Sequence, residues 1–130
     1  MIVLDASAAV DYLCPSAGHG AKVSSRIADE AFVHAPSFFD LEVLNAVRGL
    51  ERSRQISTGE AQTAVTDLEG FRVVHHDHEG LRPRIWQLRH NLTAYDAAYV
   101  ALAELLDATL LTSDSGLAKS RGHQANIELV

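Results

Sequence analysis

Short apolar runs alternate along this chain with longer stretches whose apolar positions recur every three or four residues. The runs read as strands: residues 2–5, "AFVHAP" closed by Pro36, "FRVVHH", residues 109–112, and a last "IELV". Between them the spacing predicts helices over 6–13, after residue 20 to about 30, from a Ser37 N-cap to about 54, and from Ser57 or Thr58 to about 68. Three more follow, ending near His90 and covering 94–106 and 114–121. "CPSAGHG", 14–20, reads as a loop, and Pro83 fits only the first turn of its helix. Phe39, Val43, Ala46 and Leu50 form the core stripe of the long helix. Strands alternating with helices imply a parallel sheet of about four to five short strands, covered on both faces, in one α/β domain over 1–130. Such sheets bind ligands beyond the carboxyl ends of their strands, where Asp5 and Asp114 fall.

Composition changes this picture little. Apolar residues at 47 % and charged residues at 22 % are ordinary for a globular domain. The one cysteine, Cys14, excludes an internal disulfide framework and fits a reducing cytosol; before Pro15, with no basic residue arranged around it, it reads as a packed thiol. No leader is expected before the first strand and no run approaches the roughly 18 residues of a membrane span, so a cytoplasmic protein without membrane contact is expected. The net charge of −6 argues against a protein that coats nucleic acid, but not against an enzyme whose carboxylates hold cations.

Four acids carry the candidate chemistry, and each has a structural explanation. Asp5 and Asp114 can cap the helices that follow them. Asp96 sits three residues after Thr93, close to a capping box. Its helix is apolar nearly all round, however, with Val100 and Ala103 on its own face, so its carboxylate needs a partner against desolvation. Glu42 falls about 60° from the core stripe, with Asn45 one turn later, while Asp40 suits the first turn electrostatically. Gathered together, the four would repel one another, and Mg²⁺ or Mn²⁺ would relieve that repulsion. Hydroxyls at Ser7, Thr112 and Ser113 stand ready to orient carboxylates or waters.

"VLDASAAVDYL" at 3–13, "PSFFDLEVLNAVR" at 36–48 and "LTAYDAAYVALAELLDATLLTSDSGLA" at 92–118 resemble PIN-domain proteins of the VapC type, toxins of bacterial and archaeal toxin–antitoxin pairs. The resemblance implies a three-layer α/β/α sandwich and an endoribonuclease dependent on Mg²⁺ or Mn²⁺. The family's acidic quartet maps onto Asp5, Glu42, Asp96 and Asp114, with Asp5 and Asp96 as direct metal ligands. Asn45, Ser7, Thr112 and Ser113 match the family's polar positions. The resemblance further implies a homodimer and a VapB-type antitoxin whose C-terminal segment covers the site. Cleavage by metal-activated water needs no 2′-hydroxyl and leaves 5′-phosphate and 3′-hydroxyl ends. RNA contacts would come from Arg48, Arg52 and Arg54 on one helix and Arg82, Arg84 and Arg89 on another, although solvated helix faces explain each equally well.

Other features lead elsewhere. "VVHHDHE" suggests zinc, but a strand puts His75 and His76 on opposite faces and no ligand completes a tetrahedral set. Trp86 reads as core or dimer interface, and Tyr95 and Tyr99 as packing of a buried helix rather than platforms for bases. An aspartyl-phosphate phosphatase wants D-x-D where this chain has Asp5-Ala6-Ser7; a receiver domain wants an acid pair there, and its only nearby lysine would be Lys119. The remaining alternatives are a PIN-like nuclease of RNA processing and a module that binds RNA or antitoxin without cutting.

Overall fold

The computed structural model describes residues 1–17 and 20–130; Gly18 and His19 of the expected 14–20 loop lie outside the described residues. Five strands form one parallel sheet in the order β3-β2-β1-β4-β5: β1 (Ile2–Leu4), β2 (Val33–Pro36), β3 (Val73–His76), β4 (Thr109–Thr112) and β5 (Ile127–Leu129). Among the described residues seven helices connect them: α1 (Ala6–Leu13), α2 (Gly20–Ile27), α3 (Phe39–Arg52), α4 (Thr58–Glu69), α5 (Arg82–Gln87), α6 (Ala94–Leu106) and α7 (Ser115–Ala118), with a short 3₁₀ turn at Glu79–Leu81. Because parallel crossovers are right-handed, the chain leaves β1 across one face through β2 to β3, and returns across the other to β4 and β5. Accordingly α1 to α4 pack on one another and α5 packs on α6, giving the α/β/α sandwich expected from the sequence.

The strand order reverses between β1 and β4. This crossing point positions the site, because the connections leaving the two strands diverge there, the place where open α/β sheets have their binding crevice. Leu4 pairs with Leu111, so Asp5 stands beside Thr112 and its amide donates to the Leu111 carbonyl at 2.9 Å. Val3, Leu4, Leu110 and Leu111 are wholly buried, which explains why both strands are uninterrupted apolar runs. At about 1.5–3 kcal/mol of burial for each large apolar side chain, this centre is firmly anchored in the core.

Local chemistry accounts for most element ends. Ser57 accepts from the Glu60 amide while Glu60 reaches back to the Ser57 amide, a complete capping box starting α4. Thr93 caps α6 by accepting from the Asp96 amide. Pro83 lies in the first turn of α5, the place its missing N–H allows.

Three expectations are corrected. The N-cap position of α3 is Phe38, not Ser37, and no side chain caps that end; the helix stops at Arg52, and Arg54 turns left-handed with φ 59°. The buried stripe of α3 runs through Phe39, Val43 and Val47, whereas Ala46 is exposed, because i, i+4, i+8 spacing follows the helix against α1 and α4 better than the step through 46. Trp86 is 67 % exposed rather than core, its ring covered on one side only by the Arg89 guanidinium 4.6 Å from its centre.

Candidate active site

Asp5 occupies the N-cap position of α1, yet its carboxylate makes no capping bond. Its Oδ2 instead accepts from the Ser7 hydroxyl, in a short contact, and from the Thr112 hydroxyl at 2.8 Å. Ser7 and Thr112 are themselves 3.2 Å apart, the Ser113 amide donates to Ser7 Oγ at 3.0 Å, and the Asp114 amide donates to Thr112 Oγ1 at 3.0 Å. This network ties the ends of β1 and β4 together and leaves Asp5 buried. The hydroxyls that the sequence marked out, Ser7 and Thr112, orient this carboxylate. Ser113 contributes its amide, while its hydroxyl oxygen is buried without a partner among the described residues.

The other acids arrive from three directions. Glu42, in the first turn of α3, is half-buried and accepts from the Tyr99 hydroxyl at 2.7 Å. Asp96 is half-buried at the start of α6. Asp114 is exposed, and its Oδ1 accepts from the Gly116 and Leu117 amides at 2.6 and 3.2 Å, so the capping account fits this acid well. Burial pushes the Asp5, Glu42 and Asp96 carboxyls above the usual carboxylate range. The field of Asp5 and Asp96 adds to the rise at Glu42, and that of Asp5 and Asp114 to the rise at Asp96. Among the described residues no cationic side chain contributes at any of the three. Tyr99 is 1 % exposed, and burial with the Glu42 carboxylate pushes its hydroxyl far up, so it remains a neutral donor. Asp5 and Asp96 thus act on Glu42, and Asp5 and Asp114 on Asp96, each raising the cost of the neighbouring charge.

An oxygen-only donor set in mutual repulsion, beside an orphaned hydroxyl, fits a hard divalent cation. Among the described residues no three His, Cys, Asp or Glu side chains stand close enough together to enclose one as they are. Glu42 is directed at Tyr99 and Asp114 at the α7 amides.

The remaining predicted residues divide. Asn45 is exposed one turn beyond Glu42 on α3. Arg48, Arg52 and Arg54 line an open groove of about 730 Å³ that runs to Ser57 and Glu60 at the start of α4. Arg82 pairs with Glu79 at 3.1 Å on the surface. Arg84 makes a two-pronged bond to Glu104 at 2.7 and 2.9 Å, near Thr109 and thus at the opposite end of β4 from the acids. Arg89 is folded back on Trp86. His75 contacts Asp40 at 3.1 Å, and His76 shares a 2.8 Å hydrogen bond with His34, so the histidines of the third strand are engaged separately.

Tyr99 was missed by sequence reasoning. A buried tyrosine must find a hydrogen-bond partner, and Tyr99 lies one turn after Asp96, which was the available signal. Nothing in the sequence pointed to Glu42, 57 residues away, as that partner.

The fold defines the class: an open five-stranded parallel α/β sheet with acidic side chains at the strand ends where its order reverses. Within that class the chain belongs to the PIN domain family, whose model matches residues 2–122, and to its VapC type. It is 44 % identical over 130 residues to ribonuclease VapC12 of Mycobacterium tuberculosis, covering all of this chain and 99 % of that protein. To ribonuclease VapC1 of the same organism it is 42 % identical over 134 residues, covering 98 % of this chain and 96 % of the relative. To VapC ribonuclease Mb0985 of Mycobacterium bovis it is 35 % identical over 130 residues, covering 100 % and 98 %. Among the described residues no helix is long and apolar enough to cross a membrane.

Proposed function

We propose that this chain, one domain over residues 1–130, is a divalent-metal-dependent endoribonuclease and the toxin of a type II toxin–antitoxin pair. The observation that carries the proposal is the buried Asp5 carboxylate, held by Ser7 and Thr112 at the strand crossing and coupled to Glu42 and Asp96 with no cation to balance them. The naming of its relatives as ribonucleases supports RNA as the substrate.

Asp5 and Asp96 would hold Mg²⁺ or Mn²⁺ directly, with Asp114 joining them once it turns from the α7 amides. The bound cation supplies charge neutralisation at the scissile phosphate and lowers the pKa of water enough to make it a nucleophile. Ser7 and Thr112 keep the Asp5 oxygens fixed through the reaction. Glu42, steadied by Tyr99, would hold a second ion or orient the attacking water. Arg48 and Arg52, exposed on α3 beyond Glu42, would meet the flanking phosphates. Arg84, committed to Glu104, takes no part.

The protein would act in the cytoplasm as a homodimer, silenced by a VapB-type antitoxin whose C-terminal segment covers the acids. End-group analysis tests the chemistry. RNA cut in Mg²⁺ should carry 5′-phosphate and 3′-hydroxyl ends, and cyclic 2′,3′-phosphate ends would reject hydrolysis by activated water. Growth arrest on expression, relieved by the product of an adjacent antitoxin gene, separates the toxin from a processing nuclease of the same fold.

A further inference from the structure

Tyr95 contradicts the expectation that the aromatic residues of α6 pack inside. It is 59 % exposed, while Tyr99 one turn later is buried. Its orientation is nonetheless fixed. The Tyr95 ring stands edge-to-face with Phe38, centres 5.3 Å apart and planes at 86°. Phe38 meets Tyr99 in the same manner at 5.8 Å and 87°, and the Tyr99 hydroxyl holds Glu42. A chain of perpendicular rings therefore links the position of Glu42 to that of a surface tyrosine. Phe38 opens α3 and Leu41, in the first turn beside Glu42, is 70 % exposed, so the rim is apolar where the acids are not.

We propose that Tyr95 is a stacking platform for a nucleobase next to the phosphate held by the acids. The inference rests on the ribonuclease reading and deepens it. Tyr95 directly precedes Asp96 in the first turn of α6, and the Phe38 ring that it touches also touches Tyr99, whose hydroxyl holds Glu42, so the exposed ring stands at the rim of the acids. Tyr95 packs perpendicular to Phe38 and is otherwise largely in solvent. A single flat ring, oriented in advance beside the acids that would hold a phosphate, offers the stacking surface that any base of an RNA strand can use. Stacking tolerates any base, so the platform fixes the register of the strand rather than its sequence. Tyr95 is thus a positioning residue acting on substrate binding.

The test compares binding of labelled twelve-nucleotide oligoadenylate with an abasic ribose-phosphate chain of equal length, in Mg²⁺, for wild type, Tyr95→Ala and Tyr95→Phe. Wild type should prefer the adenylate; Tyr95→Ala should lose about 5- to 150-fold of that affinity and bind both chains alike, while Tyr95→Phe keeps the preference. On a cleavable RNA, Tyr95→Ala should raise KM with kcat nearly unchanged, the signature of lost uniform binding. Equal discrimination by wild type and Tyr95→Ala would overturn the platform while leaving the nuclease intact. If wild type neither binds nor cuts RNA, the ribonuclease reading falls and the platform with it. If Tyr95→Ala instead alters only the sedimentation mass, the face belongs to a second copy of the chain and the proposal is rejected.

Discussion

Replacing Tyr99 by Phe isolates the least expected element of the site. The substitution keeps the ring, and with it the contact to Phe38 and the packing of α6, and removes only the oxygen that donates to Glu42 at 2.7 Å. A hydrogen bond to a charged group contributes about 1.5–3 kcal/mol, and Glu42 is half-buried, so water replaces part of the loss; a net cost of about 2 kcal/mol follows. At about 2.1 cal/mol/K of unfolding entropy per residue, a chain of 130 residues should then melt about 7 °C lower. In a Glu42→Gln background the bond has a neutral acceptor, and the same change should cost only about 1 kcal/mol. Melting curves of the four proteins in EDTA measure both quantities. Cleavage adds a second readout: Tyr99→Phe should lower kcat about tenfold with little effect on KM, because a mispositioned carboxylate harms the transition state more than binding. An unchanged melting temperature, or an equal cost in both backgrounds, would refute the assignment of Tyr99 as the group that holds Glu42.

Asp5→Asn should melt above wild type in EDTA, since a buried charge raised by its surroundings disappears while Ser7 and Thr112 keep an oxygen acceptor. Added Mg²⁺ should stabilise wild type, by about 2.7 kcal/mol at 100 times its Kd, and leave the variant unmoved in differential scanning calorimetry. Burial, and the neighbouring His34 and His75, hold His76 below the usual histidine range. As pH falls below about 6.5 the unfolded chain therefore takes up this proton first, so its contribution to stability, present above that pH, is lost as pH falls toward the folded value. His76→Gln should flatten melting temperature against pH in that window. Arg84→Met should cost about 1 kcal/mol by urea denaturation and leave RNA cleavage unchanged, because the half-exposed Arg84 faces Glu104 rather than the crevice. A Cβ on Gly20 would collide with the Asp11 carbonyl oxygen, so Gly20→Ala should lower stability by about 1–3 kcal/mol in the same assay.

What the sequence revealed and what it hid follow from how far each interaction reaches along the chain. α1, α6 and β4 were read at the bounds found, since periodicity and caps such as Thr93 act within one turn. The convergence of Asp5 and Asp114 was also legible, because a parallel sheet puts strand ends at one edge by construction. The bond between Tyr99 and Glu42 and the pairing of His34 with His76 were not, for each joins residues brought together only by tertiary packing. Tyr95 was misread for a related reason. An all-round apolar helix averages over its ends, and the first turn of α6 leaves the core before its pattern changes. Arg84 looked like any exposed arginine until Glu104, 20 residues on, was seen to hold it.

The most direct test of the central claim is cleavage of a panel of structured RNAs by the purified protein as Mg²⁺ is titrated against EDTA, beside folded Asp5→Asn and Asp96→Asn variants. The four-acid account predicts discrete cuts that rise with Mg²⁺, vanish on chelation, and fall at least 10²-fold in either variant, about the loss expected when a group essential to charge stabilisation is removed. Cleavage that survives both substitutions, or that ignores EDTA, would contradict it.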